Sequence, residues 1–240
     1  MKSFKNDGFT IIETMLFLGI SGLLIMGILV GTGTSINIQR YRDSVVSLKS
    51  VIQQQFNEVA NPINARSNNV QCSSSGVSAG SAGNLSRGQT NCVLLGKYIK
   101  KDAGSANQLT IKNVIGYYDD QLQPPAGTDI EVLQDYSVKV IDDGVETYEL
   151  EWGASIISPS EFYVLIVKSP ESGLMKTFTT TSQLSDSSVA SIINQINLDN
   201  DLNICVNSNG MFTGSHVSVY LGRRASNASS VETRGDNSGC

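Results

Sequence analysis

The stretch Phe9 to Val30, FTIIETMLFLGISGLLIMGILV, is a 22-residue run whose only ionisable group is Glu13. As a helix rising 1.5 Å per residue it spans roughly 33 Å, enough to cross the hydrocarbon core of a bilayer. An ordinary secretory signal has an apolar region of about 7 to 15 residues followed by a small-residue cleavage site. This run is longer, and no such site follows it. Glu13 is the anomaly, because a carboxylate placed in a bilayer costs at least about 2.5–3.5 kcal/mol and such residues are usually paired or functional. The next basic residue along the chain is Arg40, about 40 Å further along a helix. The missing cation must therefore come from another molecule or from a newly made amino terminus.

Outward from this stretch, apolar residues recur at Ile38, Tyr41, Val45, Leu48, Ile52, Phe56 and Val59. Steps of three and four mark one face of a helix. Gln39, Arg42, Ser50, Gln53, Gln54 and Asn57 form its polar face, and Asn61-Pro62 ends it, since the residue before a proline is pushed out of the helical region. One helix over residues 9–60 would be about 78 Å long, with its first half (9–30) in lipid and its second half packed on a domain. Gly19, Gly22, Gly27, Gly31 and Gly33 lie within or just beyond the first half. Each weakens the helix by roughly 1 kcal/mol relative to alanine in water, and small residues commonly serve close helix packing in membranes.

Gly8-Phe9-Thr10-Ile11-Ile12-Glu13, preceded by the basic leader MKSFKND, resembles the cleavage and methylation signature of type IV prepilins. The signature has a glycine before the cut, a phenylalanine after it and a glutamate fifth in the processed chain. The resemblance covers residues 1 to about 60 and the overall layout. It implies an α+β, type IV pilin-like fold in which a long N-terminal helix packs on an antiparallel β-sheet head. It implies a prepilin peptidase as partner, cutting off leader 1–8 and methylating Phe9. Other pilin subunits and an assembly platform in the cytoplasmic (inner) membrane are the further partners. In the assembled state Glu13 would pair with the Phe9 amine of a neighbour, turning a burial penalty into a register device. The implied location is the inner membrane before assembly and an extracellular pilus afterwards, where the filament would serve adhesion, motility or DNA uptake, with a host surface or DNA as the outer partner. The alternative is a pseudopilin of a type II secretion or competence machine. Many major pilins carry a helix-breaking proline where this chain has Val30, a departure that leans towards a minor or unusual pilin.

Residues 61–240 read as a β-rich head. The segment 61–89 is rich in Ser, Asn and Gly and predicts a surface loop, since it holds too few large apolar residues for a core of its own. Short apolar or alternating runs follow at Val93–Ile99, Leu109–Tyr118, Tyr136–Ile141, Thr147–Ile157, Phe162–Val167, Met175–Thr180, Leu202–Val206 and His216–Leu221. Turn signals separate them, among them Gln123-Pro124-Pro125-Ala126-Gly127, Asp142-Asp143-Gly144 and Asn209-Gly210. The pattern predicts strands in one antiparallel sheet on the helix, with a short helix at Ser188–Leu198.

The four cysteines, Cys72, Cys92, Cys205 and Cys240, form no C-x-x-C pair. Zinc and thioredoxin-type chemistry are disfavoured, and an even, widely spaced set beyond an export segment reads as two disulfides. Three connectivities are open; the reading favours Cys72–Cys92, stapling the Ser/Gly-rich loop, and Cys205–Cys240, tying the last residue to a strand. With a single histidine, His216, and no G-x-S-x-G, no catalytic constellation or cofactor is expected. Asp199, Asp201 and Asn203 have the alternating oxygen spacing of a calcium loop, but the twelfth position is Gly210 rather than glutamate, so a helix-to-strand turn is the better reading. Related secretion pseudopilins bind calcium, which keeps these three as a weak candidate. Arg223 and Arg224, with Arg234 in the next loop, could converge on a phosphate backbone, and Gly222-Arg223-Arg224-Ala225 resembles an arginine-bearing motif of DNA-uptake minor pilins. Against this, the net charge is −5, and nucleic-acid scaffolds are more often basic.

Overall fold

The computed structural model describes residues 10–62, 70–73, 76–79, 92–118, 127–194, 200–210, 216–235 and 240. The architecture is α+β. Helix α1 (Ile11–Ala60) is continuous for 50 residues, passing unbroken through Val30 and all five glycines. It starts on a capping box: Thr10 Oγ1 accepts from the Glu13 backbone while the Glu13 carboxylate accepts from the Thr10 backbone. This reciprocal arrangement satisfies two otherwise orphaned amide donors. At the other end α1 has no basic residue in its last turn. Lys168 Nζ, from a strand, instead donates to the Ala60 carbonyl at 2.8 Å, placing a cation where the helix dipole is negative.

The periodic face of α1 is the face that is buried. Tyr41, Val45, Leu48, Ile52, Phe56 and Val59 are at most 4% exposed and form the centre of the main core. Two sheets meet this face, where the sequence predicted one. The larger comprises β3 (Cys92–Lys101), β4 (Gln108–Tyr117), β5 (Ser137–Glu149), β7 (Phe162–Lys168) and β8 (Met175–Thr180); the smaller comprises β6 (Ser155–Ser158), β9 (Leu202–Asn207), β10 (Val217–Leu221) and β11 (Val231–Arg234). Their strand orders are β5-β4-β3-β7-β8 and β11-β10-β9-β6, with every pairing antiparallel. Side chains from both contribute to the core around α1: Ile99, Leu109 and Phe162 from one, Ile204, Val219 and Val231 from the other.

Strand β7 shows why the larger sheet is covered on both faces. Phe162, Val164 and Ile166 join the α1 core, while Tyr163, Leu165 and Val167 join a second cluster, as the period of two requires. That second cluster is closed by Leu133 of α2 (Asp129–Asp135) and by Val189, Ile192 and Ile193 of α3 (Val189–Asn194). Helix α2 is absent from the sequence-based expectation. Its T-x-x-E capping box, Thr128 to Glu131, is a legible start signal overshadowed by the Pro/Gly turn signal just before it.

Three further departures have local causes. The polar segment 61–89 contains a hairpin, β1 (Val70–Ser73) paired with β2 (Gly76–Ala79); the rest of that segment beyond Pro62 lies outside the described residues. The hairpin docks because Val70 is 4% exposed and packs with Ile115 and Ile141 in a small third cluster. Asp142-Asp143-Gly144 is no hairpin turn: β5 runs through it as an irregularity, register passing from Asn113↔Ile141 to Ile111↔Glu146. Gly144 at φ +69 and the bond from Asn113 Nδ2 to the Asp143 carbonyl absorb the extra residues, as bulges do. The run Thr147–Ile157, expected as one strand, is broken after Glu149 by a 3-10 turn at Glu151–Gly153 before β6 begins.

The strand lysine Lys97 ties α1 to the sheet. Its side chain is 9% exposed and lies 2.8 Å from Glu58 of α1 and 3.2 Å from Glu146 of β5. Burial opposes ionisation of Glu58, but hydrogen bonds from Lys97 and Gln54 outweigh it and hold the carboxyl below its ordinary pKa.

Candidate functional site

Burial divides α1 sharply. From Ile11 to Val30 every large apolar side chain is exposed, from 54% at Ile20 to 77% at Ile11. The stretch is long and apolar enough to cross a membrane, and none of its most apolar window is buried. A cluster of this size left open to water is an interaction surface, since soluble monomers rarely expose contiguous apolar patches beyond a few hundred Å². A Cβ added at Gly19, Gly22, Gly27, Gly31 or Gly33 would meet nothing within 4 Å. Nothing among the described residues requires those glycines, so any packing demand on them comes from outside the chain.

At the tip of this surface sits Glu13. Its Oε2 accepts from the Thr10 amide and from Thr10 Oγ1, each at 3.3 Å. The carboxylate is thereby folded back towards the start of the helix. Sequence reasoning treats Glu13 as an unpartnered charge and misses this local role, although Thr10-Ile11-Ile12-Glu13 carries the T-x-x-E signature. Both bonds fall on one oxygen, and Oε1 accepts none among the described residues. A cap of long bonds at an exposed helix start stabilises by about 1 kcal/mol, less than the cost of burying the same carboxylate in lipid. The cap orients Glu13 without accounting for a carboxylate in an apolar segment. Gly8 and Phe9, on which the cleavage reading rests, lie outside the described residues.

No family model, curated protein or solved structure matches the chain. The character of the site therefore rests on its geometry alone.

The cysteines are joined as Cys72–Cys92 and Cys205–Cys240. The first bridge fastens the β1–β2 hairpin to the first residue of β3, inside the small cluster that docks it. The second fastens residue 240 to β9, where Cys205 is 2% exposed.

Arg223 and Arg224 follow β10 in a turn, and Arg234 ends β11. Arg234 lies over the Tyr220 ring, 3.2 Å from its centroid, and beside Glu232 at 4.0 Å. The Arg223 amide donates to Asp201 Oδ1 at 2.8 Å. That bond, with the Tyr220 hydroxyl and the charges of Arg223 and Arg234, holds the Asp201 carboxyl below its ordinary pKa. The Asp201 carboxylate thus feels the charge of two of the three arginines. Arg224, at φ +56, lines a cavity of about 560 Å³ with Lys176, Phe178 and Ile193. Two of the three weak calcium candidates have partners of another kind. Asp201 braces the Arg223 turn, Asn203 directs Nδ2 towards the sulfurs of Cys205 and Cys240, and Asp199 lies outside the described residues. Among the described residues no cluster of three His, Cys, Asp or Glu side chains could hold a metal.

Proposed function

We propose that this chain is the precursor of a structural subunit of a type IV pilin-like filament. In this reading α1 is first a membrane anchor and then, after cleavage between Gly8 and Phe9, the strand from which the filament core is wound. One observation carries it: a single helix whose distal half is the spine of a head domain and whose proximal half exposes an unbroken apolar surface ending in one carboxylate. A plain anchor needs the apolar surface but not the carboxylate, and gains about 2.5–3.5 kcal/mol by losing it. A subunit that stacks against copies of itself uses both, because Glu13 selects the register in which a neighbour's freed Phe9 amine reaches it. The use of a single oxygen in the cap supports this, since the second is left for an incoming ammonium.

The other implied roles rank below this one. Contact with DNA through Arg223, Arg224 and Arg234 has less support, since Asp201 and Glu232 already offset the charges of Arg223 and Arg234, so a pseudopilin of a DNA-uptake machine is the weaker reading.

Intact-mass measurement and N-terminal sequencing of the protein in sheared surface filaments test the proposal. The expected chain begins at N-methylated Phe9 and is abundant. A chain in filaments that retains residues 1–8, or a protein never found in filaments, would overturn it. Gly8→Val should leave uncut precursor in the membrane.

A further inference from the structure

The chain has one tryptophan, and its placement is unlike that of the buried aromatics in the core. Trp152 is 51% exposed, whereas Tyr41, Tyr98, Phe162 and Tyr163 are at most 2% exposed. It also sits at φ +58, followed by Gly153 at φ +71. A bulky residue in the left-handed region is a genuine outlier with a cost of about 1–3 kcal/mol, and it persists only where the surroundings hold it. They do so here. The Ala154 amide closes the turn onto the Glu151 carbonyl, Asn209 Nδ2 donates to the Gly153 carbonyl at 2.7 Å, and Ser155 Oγ fixes Asn209 Oδ1 at 3.0 Å. A braced, strained turn that presents an indole to solvent is built for something outside the chain.

What lies outside is set by the partner of the ring. The Arg40 guanidinium stands over Trp152, 5.0 Å from the ring centroid. Arg40 is the residue before Tyr41, the first fully buried position of α1, so the pair marks the end of the head from which the uncovered helix emerges. Arg40 is also the first charge after Glu13. Beyond Val30 three hydroxyls are satisfied within the helix, Thr32, Thr34 and Ser35 donating to carbonyls at Ile28, Val30 and Gly31 at 2.9, 3.0 and 3.0 Å, while Asn37 and Gln39 are the other polar side chains before Arg40. The stretch beyond Val30 is therefore of mixed character and suits the membrane interface, not the hydrocarbon core. With Phe9 to Val30 across a hydrocarbon core of about 30 Å, the ten residues from Val30 to Arg40 rise about 15 Å, and the headgroup layer on each face is about 5–7 Å thick. Arg40 and Trp152 therefore lie just outside the headgroup layer, where the long Arg40 side chain reaches back to it. Tryptophan and arginine are the side chains that anchor proteins at that depth, one through its amphipathic ring and the other through phosphate contact.

We infer that Trp152 and Arg40 form a foot with which the head domain rests on the bilayer surface while the subunit is still anchored. The partner is the lipid headgroup layer. Asp43 and Glu151, adjacent in sequence to Arg42 and Trp152, offset the charges of Arg40 and Arg42, so the contact rests on the ring and on local phosphate pairing, not on a net basic patch. The foot would fix the rotation of the head about α1 before assembly. The inference rests on reading Phe9 to Val30 as a membrane span, and its test separates the two.

The test uses the full chain reconstituted in phosphatidylethanolamine and phosphatidylglycerol vesicles, where all tryptophan emission comes from Trp152. With a nitroxide on the lipid headgroup, emission should shift to shorter wavelength and lose about half its intensity, with a smaller loss when the nitroxide sits at the acyl-chain centre. Arg40→Glu should abolish most of that quenching while leaving the protein resistant to alkaline carbonate extraction. If the protein resists extraction but Trp152 is unquenched and fully open to acrylamide, the foot is overturned and the span stands. If carbonate extracts the protein, the span fails and the foot with it. If the wavelength shift disappears on dilution with more lipid, the ring faces a second copy of the chain and the lipid assignment is wrong.

Discussion

The two halves of α1 carry similar apolar side chains and put them to opposite uses. Between Tyr41 and Val59 one face is apolar and the other polar, and the chain supplies its own cover from two sheets. Between Ile11 and Val30 the helix is apolar all round and nothing among the described residues covers it. The arrangement of apolar residues around the helix, more than how many there are, distinguishes a helix that folds against its own domain from one that waits for lipid or a partner. Mutations should therefore separate the halves cleanly, with assembly defects in one and folding defects in the other.

The largest effect is expected at Glu13. Removing one member of a buried ion pair costs about 3–5 kcal/mol, enough to lower an association equilibrium by a hundredfold or more per contact. Glu13→Leu should be cleaved normally, insert at least as well as the parent and be nearly missing from sheared filaments. Normal filament content in a cleaved Glu13→Leu protein would remove the docking role. Phe56, fully buried in the main core, gives the opposite pattern. Phe56→Ala should destabilise the head by about 3–5 kcal/mol, read as a lower thermal midpoint with membrane insertion unchanged. Leu18→Ala in the uncovered half is its control and should leave that midpoint where it was.

Opening the bridge between Cys205 and Cys240, which are separated by 35 residues in sequence, should cost roughly 3–4 kcal/mol in the chain-entropy description. A Cys240→Ser head that melts like its parent would show that β9 is held by packing alone. The smallest effect belongs to the join between helix and sheet. Glu58→Gln leaves Lys97 with Glu146 only and should cost about 1–3 kcal/mol. Because the Glu58 carboxyl is held below its ordinary value, its contribution is complete above the unfolded carboxylate pKa of about 4.3. It is lost as pH falls through the lower folded value. Acid melting curves of the parent and Glu58→Gln should therefore converge towards low pH; a constant gap would place the stabilisation elsewhere.

Periodicity exposes α1 in the sequence because it needs no distant information: steps of three and four, a proline stop and one uninterrupted apolar run are all local. Strands β3, β4, β7, β8, β9 and β10 are legible for the same reason. What sequence reading misses depends on contacts across the fold. Nothing local says that Asp142-Asp143-Gly144 will bulge instead of turn, because the neighbour that accommodates it, Asn113, lies some thirty residues earlier. The β1–β2 hairpin has little core of its own and becomes structured through Ile115, Ile141 and a disulfide. Grouping the strands into two sheets requires knowing that α1 has room for both. At the candidate site the charge anomaly at Glu13 stands out and overshadows the cap that the same residues form. Nothing local in the sequence says that Asp201, twenty-two residues before Arg223, accepts from the Arg223 amide.

Tyr41 donates its hydroxyl proton to the Val206 carbonyl at 2.8 Å and accepts from the Val217 amide at 2.7 Å. It is the first of six buried apolar or aromatic side chains distributed over the stretch to Val59, about 27 Å of helix. Tension applied along α1 does not reach these contacts one after another, as it would in a zipper opened from its end. All six must slide past both sheets together while Tyr41 tears from two strands at once. The head is coupled to its helix in shear, so the joint that lets a subunit bear load is the same packing that lets it fold.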